Sequence, residues 1–303
     1  DPDYTYLQLS TSVMYDQKKT NYTAEQLQNV VKTAVSNFAK NTLNTFNSTF
    51  SISDLSSTIQ AADASIVTNE TNITLQKKFL PSLSTSTTYN LYYNVPLKRG
   101  VLSSGVSSSP SLQFIDPSNS SNIIDGVYIE EEPTSVGGVQ SISVINPGFS
   151  YQTTPSVVIS GDGSGATAVA TINQNGQISQ ITVTNAGNNY TQAIVSVVPA
   201  SNDTTGQNGA AYVTLEGQFG NLRTYYYNSN GVKTVLNSSV GTIDYLNGII
   251  TLNSFSPLNV DNQFGQFTVS ATPTTSIISS SYNRIITVDP YDPSAIVVNT
   301  IAK

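Results

Sequence analysis

The chain has 303 residues, with Lys+Arg 12 against Asp+Glu 19, a net charge of -7, and only 10% charged residues where about 25% is usual. Neither Cys nor His occurs, which excludes disulfide scaffolds, thiolate and imidazole metal sites, and histidine acid–base chemistry. No Lys/Arg cluster offers a footprint for nucleic acid or an anionic membrane, and no apolar run reaches the roughly 18 residues that span a bilayer.

In chain order, Leu9, Thr11, Val13 and Tyr15 alternate with Ser10, Ser12 and Met14, the period of a half-buried strand. The one long helix is predicted from Thr23 to Phe46. Leu27, Val30, Val31, Ala34, Val35 and Phe38 form its apolar stripe, and Thr23 with Gln26 forms a capping box. A second helix is predicted from Ser51 to Ala62, with Ile52, Leu55 and Ile59 on one face. Two alternating strands follow, Ile73 to Phe79 and Tyr89 to Val95. The order β-α-α-β-β predicts an α+β N-terminal domain over residues 1–99.

Lys98-Arg99-Gly100 and a Ser-rich run to about Pro110 break the periodicity and mark a boundary or an exposed connection. Beyond it lies an all-β antiparallel region of short strands. Asn175-Gly176, Asn230-Gly231 and Asn247-Gly248 are placed where tight hairpins need positive φ. Val139 to Ile159 repeats as Ile178 to Val198 at an offset of 39 residues, matching Asn146 with Asn185, Gly148 with Gly187, Tyr151 with Tyr190 and Val158 with Val197. This predicts an inserted two-copy β-repeat module. The expected division is residues 1–99, a connection with first β strands at 100–135, the module at 136–218 and a β domain at 219–303.

Candidate sites are few. On one strand, only Glu130 and Glu132 of the Glu130-Glu131-Glu132 run can share a cation or act as a pair, and a solvated strand end before Pro133 is the favoured reading. Gly161-Asp162-Gly163-Ser164-Gly165 leads into a strand rather than a helix, so a turn is favoured over a phosphate or calcium loop. In Tyr225-Tyr226-Tyr227, the first and third share a face and the second takes the other. No catalytic, metal-binding or cofactor-binding residue is expected, and no metal or cofactor is needed for folding. Self-association is expected instead, because few charges guard the strand edges. Its candidate surface is Tyr225, Tyr226 and Tyr227 with the hairpin Gly241 to Leu252, represented by Ile243, Tyr245 and Ile249.

A resemblance adds to this. Asp1-Pro2-Asp3-Tyr4-Thr5-Tyr6-Leu7, the helix end Asn41 to Phe46, Ser65 to Asn69 and Ile73 to Phe79 resemble the C-terminal part of the baseplate wedge protein of T-even-like contractile-tailed phages. The likeness is to the cyanophage-type branch, within the wider baseplate J-like family. Phe219 to Tyr227, Gly241 to Ile250 and Arg284 to Asp289 continue it, so it covers roughly residues 1–133 and 219–303. It implies a non-enzymatic virion protein of the tail baseplate, assembled in the host cytoplasm. The implied partners are a second copy of itself and other baseplate wedge and hub proteins, with no nucleic acid and no membrane. It brings no active-site residues, and the opening at Asp1 is expected to be an entry in mid-protein. The competing readings are a fibre-like or carbohydrate-binding β-module, suggested by the tyrosines and the repeat, and a carboxylate-based glycoside hydrolase, for which carboxylates are scarce.

Overall fold

The computed structural model describes residues 3–100, 104–132, 137–190, 192–217, 219–280 and 283–303. Asp1, Pro2, Pro133 and the expected module limits Val136 and Gln218 lie outside the described residues, as does part of the expected Ser-rich connection. The chain begins with β1 (Asp3–Tyr15), α1 (Ala24–Thr42), β2 (Thr49–Ser51), α2 (Ile52–Gln60) and β3 (Ile66–Phe79). Next come β4 (Thr87–Tyr92), β5 (Val106–Ser109), β6 (Leu112–Asp116) and β7 (Asn119–Glu131). Six strands follow: β8 (Val139–Phe149), β9 (Ser156–Gly161), β10 (Thr167–Ile172), β11 (Ile178–Asn185), β12 (Ala193–Val198) and β13 (Gln207–Leu215). The last stretch holds β14 (Phe219–Tyr227), β15 (Lys233–Asp244), β16 (Ile249–Phe255), β17 (Asn259–Val260), β18 (Phe267–Ala271), β19 (Ile277–Ser279), β20 (Arg284–Thr287) and β21 (Ile296–Ala302).

The expected α+β N-terminal domain of order β-α-α-β-β is corrected by this arrangement. The protein is mostly β, with 55% strand, 11% helix and two α-helices among the described residues. It starts with a long strand, and β1 and β3 form no sheet of their own. They are inner strands of a six-stranded sheet in the order β20-β1-β3-β18-β5, with β21 continuing along β1 beyond β20. β4 leaves for a second, seven-stranded sheet, β17-β6-β7-β14-β15-β16-β4, and β2 pairs with β19 between the helices. Alternation shows that a strand is half-buried, yet it carries no information about which distant strand supplies its neighbour. The region beyond residue 100 is not wholly antiparallel either, because β20 and β21 run parallel to β1.

The helices start where the spacing places them, but α1 ends at Thr42 rather than Phe46 and α2 at Gln60 rather than Ala62. Thr23 Oγ1 accepts from Gln26 N–H at 3.2 Å and Gln26 Oε1 from Thr23 N–H at 2.9 Å, which closes the capping box. Leu27, Val31, Val35 and Ala39 are buried against the six-stranded sheet, each full aliphatic side chain contributing about 1.5–3 kcal/mol. Between the two sheets an aromatic cluster fills the core. Phe255 lies 5.9 Å from Phe267, 5.8 Å from Phe114 and 6.2 Å from Tyr89, and Phe267 meets Phe79 at 5.9 Å. One apolar core thus runs from Leu7 to Ile296.

Residues 139–215 have a separate core, built around Val139, Ile142, Tyr151, Ile181, Tyr190 and Val213. The two repeat copies interlock crosswise. β8, which opens the first copy, pairs with β13, which trails the second; β11 of the second pairs with β10 of the first; β9 pairs with β12. Tyr151 lies on Gly206 and its hydroxyl accepts from Gly209 N–H at 3.1 Å, while Tyr190 lies on Gly163 and accepts from Ala166 N–H at 3.4 Å. A Cβ on either Gly163 or Gly206 would overlap the tyrosine ring. Turn chemistry repeats as well, since Gly148 and Gly187 have φ of 63° and 65° and donate to Asn146 and Asn185 Oδ1. Past the tyrosines the equivalence slips: Val158 is exposed and faces Ser196, whereas Val197, its match in the sequence, is half-buried.

Candidate assembly surface

β14 sits between β7 and β15 near the middle of the seven-stranded sheet. Its register puts Tyr225 beside Tyr128 on one side and Val235 on the other, and puts Tyr227 beside Lys233. Tyr225 and Tyr227 share the outward face, with Tyr128 and Tyr225 at 5.8 Å and Tyr225 edge-on to Tyr227 at 5.9 Å. Tyr226 takes the opposite face and packs against the main core. Lys233 Nζ stands 4.0 Å over the Tyr225 ring. Burial, and after it the Glu130 charge, raises the Tyr225 phenol above its usual range.

The carboxylates behind these rings are used within the fold. Glu130 pairs with Arg223 Nε at 2.9 Å and with Lys233 Nζ, and Arg223 Nη1 reaches Glu132 at 3.7 Å. Glu130 and Glu132 do share a cation, and it is Arg223. Glu131 points the other way and is fully buried. Its Oε1 accepts from Gly100 N–H at 2.8 Å and from the Tyr245 hydroxyl, and its Oε2 accepts from Gly105 N–H at 2.6 Å. Arg99 lies over the Tyr245 ring at 4.7 Å. Burial first, and Glu131 second, push the Tyr245 phenol far up. A Cβ on Gly220 would strike the Tyr245 hydroxyl, so glycine is needed at that position.

The structure therefore divides the six sequence-predicted interface residues. Tyr225 and Tyr227 are together on the surface; Tyr226 packs against the core; Ile243 and Tyr245 are buried; Ile249 is half-buried. Sequence reasoning missed Tyr128, Arg223 and Lys233, which reach the platform only through strand pairing. The signal for Glu131 was present as the middle member of an acidic run whose neighbours face the other way. Elsewhere, a cleft of about 500 Å³ is lined by Tyr4, Tyr6, Lys77, Lys78, Tyr92 and Arg284, among others. Lys77 pairs there with Asp3 at 2.6 Å, and Lys78 binds Asp289 at 2.6 Å and Asp292 at 3.5 Å. Burial lowers the Lys77 ammonium, with Asp3 opposing it. Among the described residues no group of three or more Asp or Glu gathers as metal ligands would.

Residues 3–78, about a quarter of the chain, match the family model for baseplate structural protein gp6, C-terminal domain III. That span takes in β1, α1, β2, α2 and nearly all of β3. The match supports a structural role in a phage baseplate, in contact with other baseplate components. Comparison with curated proteins finds no match.

Proposed function

We propose that this chain is a wedge subunit of a contractile phage tail baseplate, assembled in the host cytoplasm, which acts by protein–protein contact around the tail hub and pairs with a second copy of itself. The family match over residues 3–78 carries the proposal. The matched segment provides the two α-helices found among the described residues and two inner strands of the six-stranded sheet, so it is integral to the main core.

The outward platform of Tyr128, Tyr225, Tyr227, Val235, Arg223 and Lys233 is assigned to a neighbouring baseplate wedge or hub protein. Tyrosine and arginine are enriched at contact hot spots, and these are pre-oriented by strand pairing and by Glu130. Residues 136–218 are proposed as a decorating insertion on a body formed by the remainder. Its own core and the adjacency of its ends support this: Gly138 N–H donates to Glu216 Oε2 at 3.1 Å and Glu216 N–H to Gly138 O at 2.7 Å.

The test is electron microscopy of purified phage labelled with antibody to this chain, combined with Tyr227→Lys. Label at the end of the tail is expected. The variant, altered at a side chain 57% exposed, is expected to melt with the wild type yet to be depleted from assembled particles. Label on the capsid, or none on intact or disrupted tails, refutes the baseplate reading; full incorporation of Tyr227→Lys refutes the assigned surface.

A further inference from the structure

The six-stranded sheet ends on one side at β20 and β21, and among the described residues β21 pairs only with β1. Leu9 N–H donates to Ala295 O at 2.8 Å and Lys303 N–H donates to Tyr15 O at 2.9 Å. With the parallel register between them, these bonds turn the backbone groups of residues 297, 299, 301 and 303 towards β1. The N–H and C=O groups of Val298, Thr300 and Ala302 consequently point away from β1, along the open edge.

Such an edge is a template for another strand, and β21 lacks the usual defences. Ile296 to Ala302 contains no charged residue and no proline, and its register with β1 is unbroken. The strand is also close to palindromic about Asn299. Val298 and Thr300 have the same shape, Val297 and Ile301 are both aliphatic, and the latter two are 39% and 51% exposed on the solvent side of the sheet.

We propose that β21 pairs antiparallel with β21 of a second copy, about a two-fold axis at Asn299. This rests on the self-association in the function proposed above and gives that contact a location. The backbone parity agrees with it. With the axis at Asn299, Val298 faces Thr300 of the partner subunit as a hydrogen-bonded pair, using the groups that point outward, and the two Asn299 residues face each other as a non-hydrogen-bonded pair. Val297 then lies beside Ile301 of the partner subunit, and the two Asn299 amides bond across the axis. The opposite face of β21 is held by α1, with Gln28 Nε2 donating to Thr300 Oγ1 at 3.4 Å, so the edge is stiffened without being covered by a strand. Because no charge takes part and each copy carries -7, added salt is expected to strengthen this pairing; a contact through Arg223 and Lys233 is expected to weaken with salt.

The chain has no cysteine, so Asn299→Cys introduces a single thiol. Cα atoms of a non-hydrogen-bonded antiparallel pair lie about 4.5 Å apart, within reach of a disulfide. Ser10→Cys, exposed on β1 one strand further in, is the control. Under mild oxidation, Asn299→Cys is expected to become a covalent dimer at least about tenfold faster than Ser10→Cys. Asn299→Lys, which sets two like charges face to face, is expected to weaken association by roughly tenfold or more in sedimentation while leaving the melting temperature of the dilute monomer unchanged. A wild-type dimer in which Asn299→Cys cross-links no faster than the control, or which Asn299→Lys leaves intact, overturns the β21 contact while self-association stands. A wild-type chain that stays at 32.3 kDa at high concentration, with neither cysteine variant cross-linking, overturns both.

Discussion

The buried contact between Glu131 and Tyr245 joins Gly100 and Gly105, β7 and the turn after β15, and a double-mutant cycle measures it. Tyr245→Phe removes a hydrogen bond to a carboxylate shielded from water, with costs of about 1.5–3 kcal/mol typical of bonds to charged groups. Glu131→Gln keeps the shape but sets an amide NH2 against the donors of Gly100, Gly105 and Tyr245, at least one of which loses its acceptor. Leaving one buried donor without its acceptor costs about 1–3 kcal/mol, so a loss of that size is expected. The double variant should fall short of the sum by about 1–3 kcal/mol, because both changes delete the same bond. Calorimetric melting of the four proteins supplies the numbers, with any separate transition of residues 139–215 unmoved as an internal control. Two single changes each costing under about 0.5 kcal/mol, or a strictly additive pair, would refute the reasoning.

In the repeat module, Tyr151→Ala and Tyr190→Ala are each expected to cost about 3–5 kcal/mol and to cost nearly the same, since both rings fill glycine hollows in the opposite copy; unequal losses in thermal melts would show that the copies are not equivalent. Gly206→Ala is expected to destabilise the module by about 1–3 kcal/mol through overlap with Tyr151, and an unchanged melting curve would remove that explanation. For Asp203, burial alone would raise the carboxyl, but backbone N–H donors from Thr153, Thr205, Gln152 and Gly206 hold it well below the usual carboxylate range. A group depressed in the folded state stabilises above its unfolded value, so this contribution is complete above about pH 4 and fades as the pH falls towards the folded value. Asp203→Asn should flatten the acid limb of the module's stability against pH in circular dichroism, and an unaltered limb would assign acid sensitivity elsewhere.

Much of the local structure was legible in the sequence. The stripe and capping box placed α1 to within a residue at its start, although its end came at Thr42 rather than Phe46. The three Asn-Gly turns all carry glycines with positive φ, as hairpin geometry demands. The repeat at an offset of 39 residues anticipated matching Asn-x-Gly turns and two tyrosines in equivalent positions, and the structure buries both. β5, β20 and β21 were not legible as strands. Val106 to Ser109 reads as a serine linker and takes strand form by pairing with β18, while β20 and β21 run parallel to a β1 that lies almost 300 residues earlier.

The sequence by itself determined periodicity and turns, because these depend on residues within a few positions of one another: where α1 begins, which tyrosine of the triplet opposes its neighbours, where a glycine must bend the chain. Only the tertiary structure decided which face was the interior. Parity separates Tyr226 from Tyr225 and Tyr227, but the core beneath β14 is what puts Tyr226 inside, and the same parity makes Glu131 a buried acceptor while its two neighbours share Arg223. The physical reason is that a strand has no stable identity alone. Its burial, its partners and its open edge are set by the other strands of the sheet, and here those strands come from opposite ends of the chain.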